Sequence, residues 1–160
     1  AQDGWPTRSI RLILTAPPGS SIDVLGRILA ERLRERLGQP VVPDNRPQAG
    51  GTVGTDAVAE AAADGYTFGL SFTGPLATAP LLNRRLPYDP VNGFETLGLV
   101  TEVPMTLVAK KDFPASTLAE AVAIIKREGD NLNYANAGIG AASHLCGLLL
   151  MKAVGTAMTT

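Results

Sequence analysis

Three segments of this sequence share one form: an apolar run ends, small residues follow, and a segment with helical periodicity begins. They are Pro17-Pro18-Gly19-Ser20-Ser21, Phe72-Thr73-Gly74-Pro75 and the stretch from Asn136 to Ser143. A helix that starts at such a loop presents unpaired N–H groups and a partial positive charge, typically worth about 0.3–1 kcal/mol toward an anion. Gly19, Gly74, Gly138 and Gly140 place no Cβ between the backbone and a ligand, and Ser20, Ser21, Thr73 and Ser143 add hydroxyls. The chemistry on offer is therefore anion binding through neutral donors. Small residues also serve tight turns in any α/β fold, so a single loop of this kind decides nothing, and three together leave both readings standing.

Other chemistries fit less well. Gly138-Ile139-Gly140-Ala141-Ala142-Ser143 resembles a weakened dinucleotide-binding loop with Ser143 at the third glycine position. The acidic residue that would test it belongs about 20 residues further on, past Thr160. No phosphate-loop lysine pattern and no Gly-x-Ser-x-Gly elbow occurs. His144 and Cys146 are the sole residues of their types. Ser143 and His144 are neighbours on an expected helix, so their side chains diverge and do not form a nucleophile–base pair. One His does not build a His-based metal site, and one Cys supplies neither an intrachain disulfide nor a structural zinc site. His144 reads as a packing or helix-start residue, Cys146 as a buried, inert thiol on the apolar side of the last helix, and Asp23 as a first-turn acid that suits the helix dipole and needs no further role.

The elements that would position these loops alternate. Ile10 to Ala16 is an apolar, β-branched strand, broken by Pro17-Pro18. Ile22, Leu25, Ile28, Leu29, Leu33 and Leu37 recur at helical spacing, and Gly38 with Pro40 stops that helix. Val41-Val42 is a short strand, followed by the polar turn Asp44 to Gln48. A second helix carries Val53, Ala57, Val58 and Ala61 on one face, and Tyr66 to Ser71 is the next strand. Pro75 suits a first helical position, and Leu86-Pro87-Tyr88-Asp89-Pro90 is an irregular connector. Phe94–Val100 and Met105–Ala109 read as two further strands and as the passage between two lobes, placed at 1–101 and 102–160. Thr117-Leu118-Ala119-Glu120 is a capping box for a helix to about Glu128 with Leu118, Val122 and Ile125 inward. Leu132 to Ala135 is a brief strand, and a last helix runs from about Ser143 to Ala153. Repeated β-loop-α order implies an α/β fold with mainly parallel sheets, in which such loops gather at the carboxyl ends of the strands.

Composition sets outer bounds. The 160 residues, 45% hydrophobic and 18% charged, suit one domain or two small lobes burying roughly 70% of the unfolded chain's surface. Fourteen Lys and Arg against fifteen Asp and Glu give a net charge of -1, and aromatics are 5%. Neither a field nor a stacking surface for nucleic acid is present. No apolar run of about 18 residues marks a membrane span. The opening, Ala1-Gln2-Asp3-Gly4-Trp5-Pro6, lacks an initiator Met. It reads either as the end left by signal peptidase or as an arbitrary boundary.

The ordered set of motifs resembles a known family. Pro17-Pro18-Gly19 with Asp23, Leu37-Gly38-Gln39-Pro40-Val41-Val42, Asn45-Arg46-Pro47, Ala49-Gly50-Gly51, Asp64-Gly65-Tyr66-Thr67, Leu86-Pro87-Tyr88-Asp89-Pro90, Leu132-Asn133-Tyr134-Ala135 and Ser143-His144-Leu145 are similar, in the same order, to the N-terminal half of the Bug (TctC-like) receptors. These are periplasmic solute-binding proteins of tripartite tricarboxylate transporters. The resemblance implies a two-lobed periplasmic-binding-protein-like fold, incomplete in this chain because members run to nearly twice its length. It implies an exported protein, its signal peptide removed, that uses no cofactor and closes an interlobe cleft on a small organic carboxylate held largely by backbone groups. Its partners would be membrane transporter subunits or a sensor, with no membrane insertion of its own and no nucleic acid. The positions that match the ligand loops are Pro18, Gly19, Ser20, Ser21, Thr73, Gly74, Gly138, Gly140, Ala141, Ala142 and Ser143. Two departures stand out: Ser20 replaces the family's usual second glycine, and Gln48 the usual glycine before Ala49. The alternative is a doubly wound enzyme holding a nucleotide cofactor at the third loop.

Overall fold

The computed structural model describes residues 4–160. They form two compact units, one ending at Thr96 and the other Leu97–Thr160.

The first unit is built around β1 (Ile10–Leu14), the middle strand of a three-stranded parallel sheet in the order β2-β1-β3, with β2 at Val41–Asn45 and β3 at Thr67–Leu70. Both faces of β1 are covered except at Arg11, whose half-exposed side chain pairs with Asp44, so its sequence is an apolar run with one break and not a strict alternation. Ile10, Leu12 and Leu14 turn toward α1 (Ser21–Leu37), forming a core with Ala30 and Val41 that Leu33, Leu37, Phe68 and Leu70 flank. Ile13 and, just past the strand, Thr15 lie on the opposite face with α2 (Thr52–Ala59), and Ile10, Leu12, Ile13, Leu14 and Thr15 are each at most 2% exposed. Glycines set the approach on each side. A Cβ on Gly26 of α1 would strike the side chain of Leu14, and one on Gly54 of α2 would lie 2.7 Å from the Arg46 carbonyl.

The expected elements are mostly present in this unit, with shifts that have local causes. α1 is capped by the Ser20 side chain at its start and by Gly38, at φ 70°, at its end. Its inward stripe is Asp23, Gly26, Ala30, Leu33 and Leu37, so Ile28, expected inward, is exposed. Small residues face the sheet there because the helix packs close. β2 is longer than Val41-Val42 and takes in Pro43 and Asp44. Proline is tolerated because β2 is an edge strand in this sheet. After β3, one π-helical turn (Gly74–Thr78) with Pro75 near its start leads into α3 (Ala79–Leu82). Residues 86–90 are irregular, as expected.

In the second unit α4 (Leu118–Glu128) carries the expected capping box: Thr117 Oγ1 accepts from the Glu120 N–H, and the Glu120 side chain reaches back to the Thr117 N–H. Ile124 and Ile125 are its buried residues, and Leu118 is exposed. α5 (Ala142–Val154) matches the last expected helix. The expected strands at 94–100 and 105–109 do not form. A strand exists only as a member of a hydrogen-bonded pair, and among the described residues none lies beside these runs. The same holds for Leu132–Ala135, reduced to a single bridge between Asn133 and Thr159. Cys146, expected buried, is exposed. α5 is apolar around most of its circumference, so periodicity did not reveal that the face through Gly147 is the one that packs, against Tyr134.

Candidate functional site

In the first unit the parallel strands send all their carboxyl ends to one edge. The order β2-β1-β3 means that the chain leaves β1 for one side and returns on the other, so β1 and β3 flank a topological switch point, where open α/β sheets bind ligands. The loop after β1 holds Pro18, Gly19, Ser20 and Ser21, and the loop after β3 holds Thr73 and Gly74. The two are tied at their roots. The Thr15 N–H and hydroxyl both donate to the Leu70 carbonyl at 3.2 Å, and Ser71 Oγ is 3.3 Å from the same hydroxyl. Ser71 Oγ in turn lies 3.4 Å from the hydroxyl of Thr55, which donates to the Gly51 carbonyl at 2.9 Å.

That last contact brings in a loop to which sequence reading assigned no site residue. Gln48–Gly51, between β2 and α2, runs through left-handed backbone at Ala49, Gly50 and Gly51. Gly51, at φ 92°, is wedged where a Cβ would stand 2.6 Å from the Thr15 carbonyl and 3.3 Å from the Phe72 ring. The Ala49-Gly50-Gly51 signal was visible in the sequence, but which strand end it met was not. On the other side Tyr88, buried, donates its hydroxyl to the Pro75 carbonyl at 2.7 Å and packs edge-on to Phe94. The irregular connector thus braces the second loop, and burial pushes the Tyr88 hydroxyl's pKa upward.

Within the first loop the donors are already partly committed. The Ser20 N–H donates to the Pro17 carbonyl, Ser20 Oγ accepts from the Asp23 N–H, and the Gly19 N–H donates to Asp23 Oδ2 at 2.8 Å. Asp23 is not the plain first-turn acid expected. It is 5% exposed and also accepts from Arg27 Nε at 3.0 Å and Asn45 Nδ2 at 2.9 Å. Those bonds, from Arg27 first, then Gly19 and Asn45, hold its pKa down at about 2 against the cost of burial. Arg27 is thereby spoken for, and the loop residues Pro17–Ser21 include no cationic side chain. The N–H groups of Ser21 and Ile22 have no partner among the described residues.

The third loop belongs to the second unit. Gly138 (φ 111°) and Gly140 (φ 83°) supply its left-handed turns. The Ala137 N–H donates to Ser143 Oγ at 3.0 Å, the Gly138 N–H to Asn136 Oδ1 at 2.8 Å and the Gly140 N–H to His144 Nδ1 at 3.3 Å. His144 is thus a helix-start residue that ties down its own loop. Ala141 and Ala142 open α5 with no side-chain cap. Tyr134, Ala135, Asn136, Gly138, Ile139, His144 and Thr160 line a concavity of about 530 Å³ beside it. A dinucleotide loop needs a strand running into it, and here only the bridge at Asn133 precedes it. No group of three or more metal-ligating side chains occurs among the described residues. No described helix is long and apolar enough to cross a membrane.

Residues 25–160 match the family model described as tripartite tricarboxylate transporter family receptor, TctC. The chain belongs to this receptor family. BugT of Bordetella pertussis is 38% identical over 157 residues, which cover 98% of this chain and 48% of that protein. Among solved structures, the periplasmic binding protein BugD superposes with a TM-score of 0.84 at 43% identity, covering 98% of this chain and 52% of that one. MatC from Rhodopseudomonas palustris, solved with bound malate, gives 0.82 at 34% identity, covering 97% and 53%. This TctC-family chain spans about half the length of the curated relatives it matches. The mixed α/β fold with its parallel sheet, incomplete relative to the solved receptors, agrees with the expectation from sequence.

Proposed function

We propose that the protein is an exported periplasmic receptor that captures a small organic carboxylate and delivers it to the membrane subunits of a tripartite tricarboxylate-type transporter, or to a sensor. The two units correspond in this reading to the two lobes. The observation that carries it is the pair of small-residue loops, Pro18–Ser21 and Thr73-Gly74, rooted together at the switch point of a parallel sheet. Free N–H groups at Ser21 and Ile22 favour an anion, and the lack of an unpaired cation in that loop favours a ligand held by directed hydrogen bonds. Gly138, Gly140, Ala141, Ala142 and Ser143 of the second unit enter this reading as positions matching the family's ligand loops, although the Gly138, Gly140 and Ala141 N–H groups already have partners within their own loop. The ligand of MatC is malate, which makes a short dicarboxylate the first compound to try. Ser20, in place of the family's glycine, adds a Cβ and a hydroxyl at the first loop and would shift preference among such acids.

Calorimetric titration of the purified protein with L-malate, succinate and a dinucleotide control tests this. Saturable one-site binding of at least one carboxylate, with none of the dinucleotide, is the expected result. Binding of the dinucleotide alone would favour the cofactor-dependent enzyme, and no carboxylate binding at all would overturn the receptor reading.

A further inference from the structure

The buried carboxylate of Asp23 has more partners than a helix start requires. In a capping box the acid three residues after the cap reaches back to the cap residue's own N–H. Here the cap is Ser20, yet Asp23 Oδ2 passes over it to the N–H of Gly19, one residue earlier, at 2.8 Å. Its other oxygen, Oδ1, accepts from Asn45 Nδ2 and from Arg27 Nε. Asn45 uses its second amide hydrogen on the Ala16 carbonyl at 3.1 Å, and its Oδ1 accepts from Arg27 Nη2 at 3.1 Å. The three side chains form a closed ring. It joins the peptide just past β1, the tip of the first loop, the first turns of α1 and the last residue of β2.

We propose that Asp23 is the positioning residue of the first loop: through this ring it pins the Gly19 peptide inward, so that the loop offers a ligand the N–H groups of Ser21 and Ile22 and not that of Gly19. The ligand-facing half of this statement rests on the receptor reading above; the pinning itself does not. The pin is specific in its chemistry. Gly19, Asn45 and Arg27 each point a donor at it, so the group at position 23 must be an acceptor on both oxygens, which an ionised carboxylate is and a carboxamide is not. It also accounts for glycine at 19, whose φ of 81° turns the N–H toward Asp23.

Amide hydrogen exchange read by ¹H–¹⁵N NMR tests the pin without any ligand. In the wild type the Gly19 amide is expected to be protected although the loop is exposed, and its proton shift to move as acid protonates the Asp23 carboxyl. In Asp23→Ala its exchange accelerates about tenfold or more while the β1 amides Ile10–Leu14 stay protected, and Asp23→Asn fails to restore it. Asn45→Ala, which leaves Asp23 in place, gives a smaller acceleration in the same direction. An unprotected Gly19 in the wild type, or equal loss of protection throughout β1 in both variants, overturns the proposal. Titration with L-malate separates the two claims. Loss of malate binding in Asp23→Ala with β1 intact supports both. A wild type that binds no carboxylate removes the receptor reading and leaves the Gly19 result to decide the pin. Undiminished malate binding in a variant whose Gly19 has been released overturns the positioning role.

Discussion

Asp23 stays ionised deep into the acid range because every group that touches its carboxylate is a donor, and donors favour the charged form. Its folded pKa of about 2 lies below the ordinary value of 3.8, so folding is helped by this group above the unfolded pKa and the help is lost as pH falls through the folded one. Urea denaturation followed from pH 6 to pH 2 should therefore show the wild type more stable than Asp23→Asn at pH 6. The gap should shrink between about pH 4 and pH 2. A gap that stays constant to pH 2 would mean that the carboxylate's charge contributes nothing to the folded state. Asp44, held below the usual carboxylate range by Arg11 and then Arg46, also loses its contribution as pH falls, which is why the comparison with the variant, and not the wild-type curve alone, isolates Asp23. The sequence displayed Asp23 as a first-turn acid, a role that needs only local information. The partner that changes its meaning, Asn45, sits 22 residues away at the end of β2, and only the sheet order brings it near.

Elements with a chemical signature at both ends were legible; elements defined by what they pack against were not. Gly38 ends α1 and Thr117 with Glu120 starts α4 as their residue types require, since a cap is made by neighbours in sequence. The runs at 94–100 and 105–109 have strand-like composition and no strand partner among the described residues, and β2 runs on through Pro43 into residues expected as a turn. The candidate site was legible in the same measure: the small-residue loops do follow β1 and β3 as their sequence implied, whereas the Gln48–Gly51 loop that packs against their roots was not foreseen. Its packing suggests a substitution for which two effects compete. Alanine is better than glycine in a helix interior by about 1 kcal/mol, so Gly54→Ala in α2 would ordinarily stabilise. Here the new Cβ would stand 2.7 Å from the Arg46 carbonyl and 3.1 Å from Thr15 Cγ2, and overpacking of this kind costs about 1–3 kcal/mol. The backbone oxygen does not yield as a side-chain tip would, so the expected outcome is a net loss of about 1 kcal/mol, seen as a lower urea midpoint with unchanged slope. A gain in stability would show that α2 can back away from β1, and with it that Gly51 does not hold the loop against Thr15.

At the scale of the whole molecule, protection from solvent is distributed unevenly within each unit. In the first, β1 is covered on both faces apart from Arg11 and bonded on both edges. In the second, residues 97–109 are irregular and exposed, Leu97 at 77% and Val108 at 83%, and their N–H groups have no partner among the described residues. Amide exchange depends on both the bond and the cover. The Ile10–Leu14 amides should thus exchange through the largest opening available to the first unit, while those of 97–109 exchange within about tenfold of the rate of an unstructured peptide. Mass-spectrometric exchange on peptides from the two stretches measures this directly. Protection at 97–109 would mean that the run has found a strand to pair with in solution. Apolar, unpaired backbone invites that pairing, and a protection that rises with protein concentration would identify the added strand as belonging to a second copy of the chain.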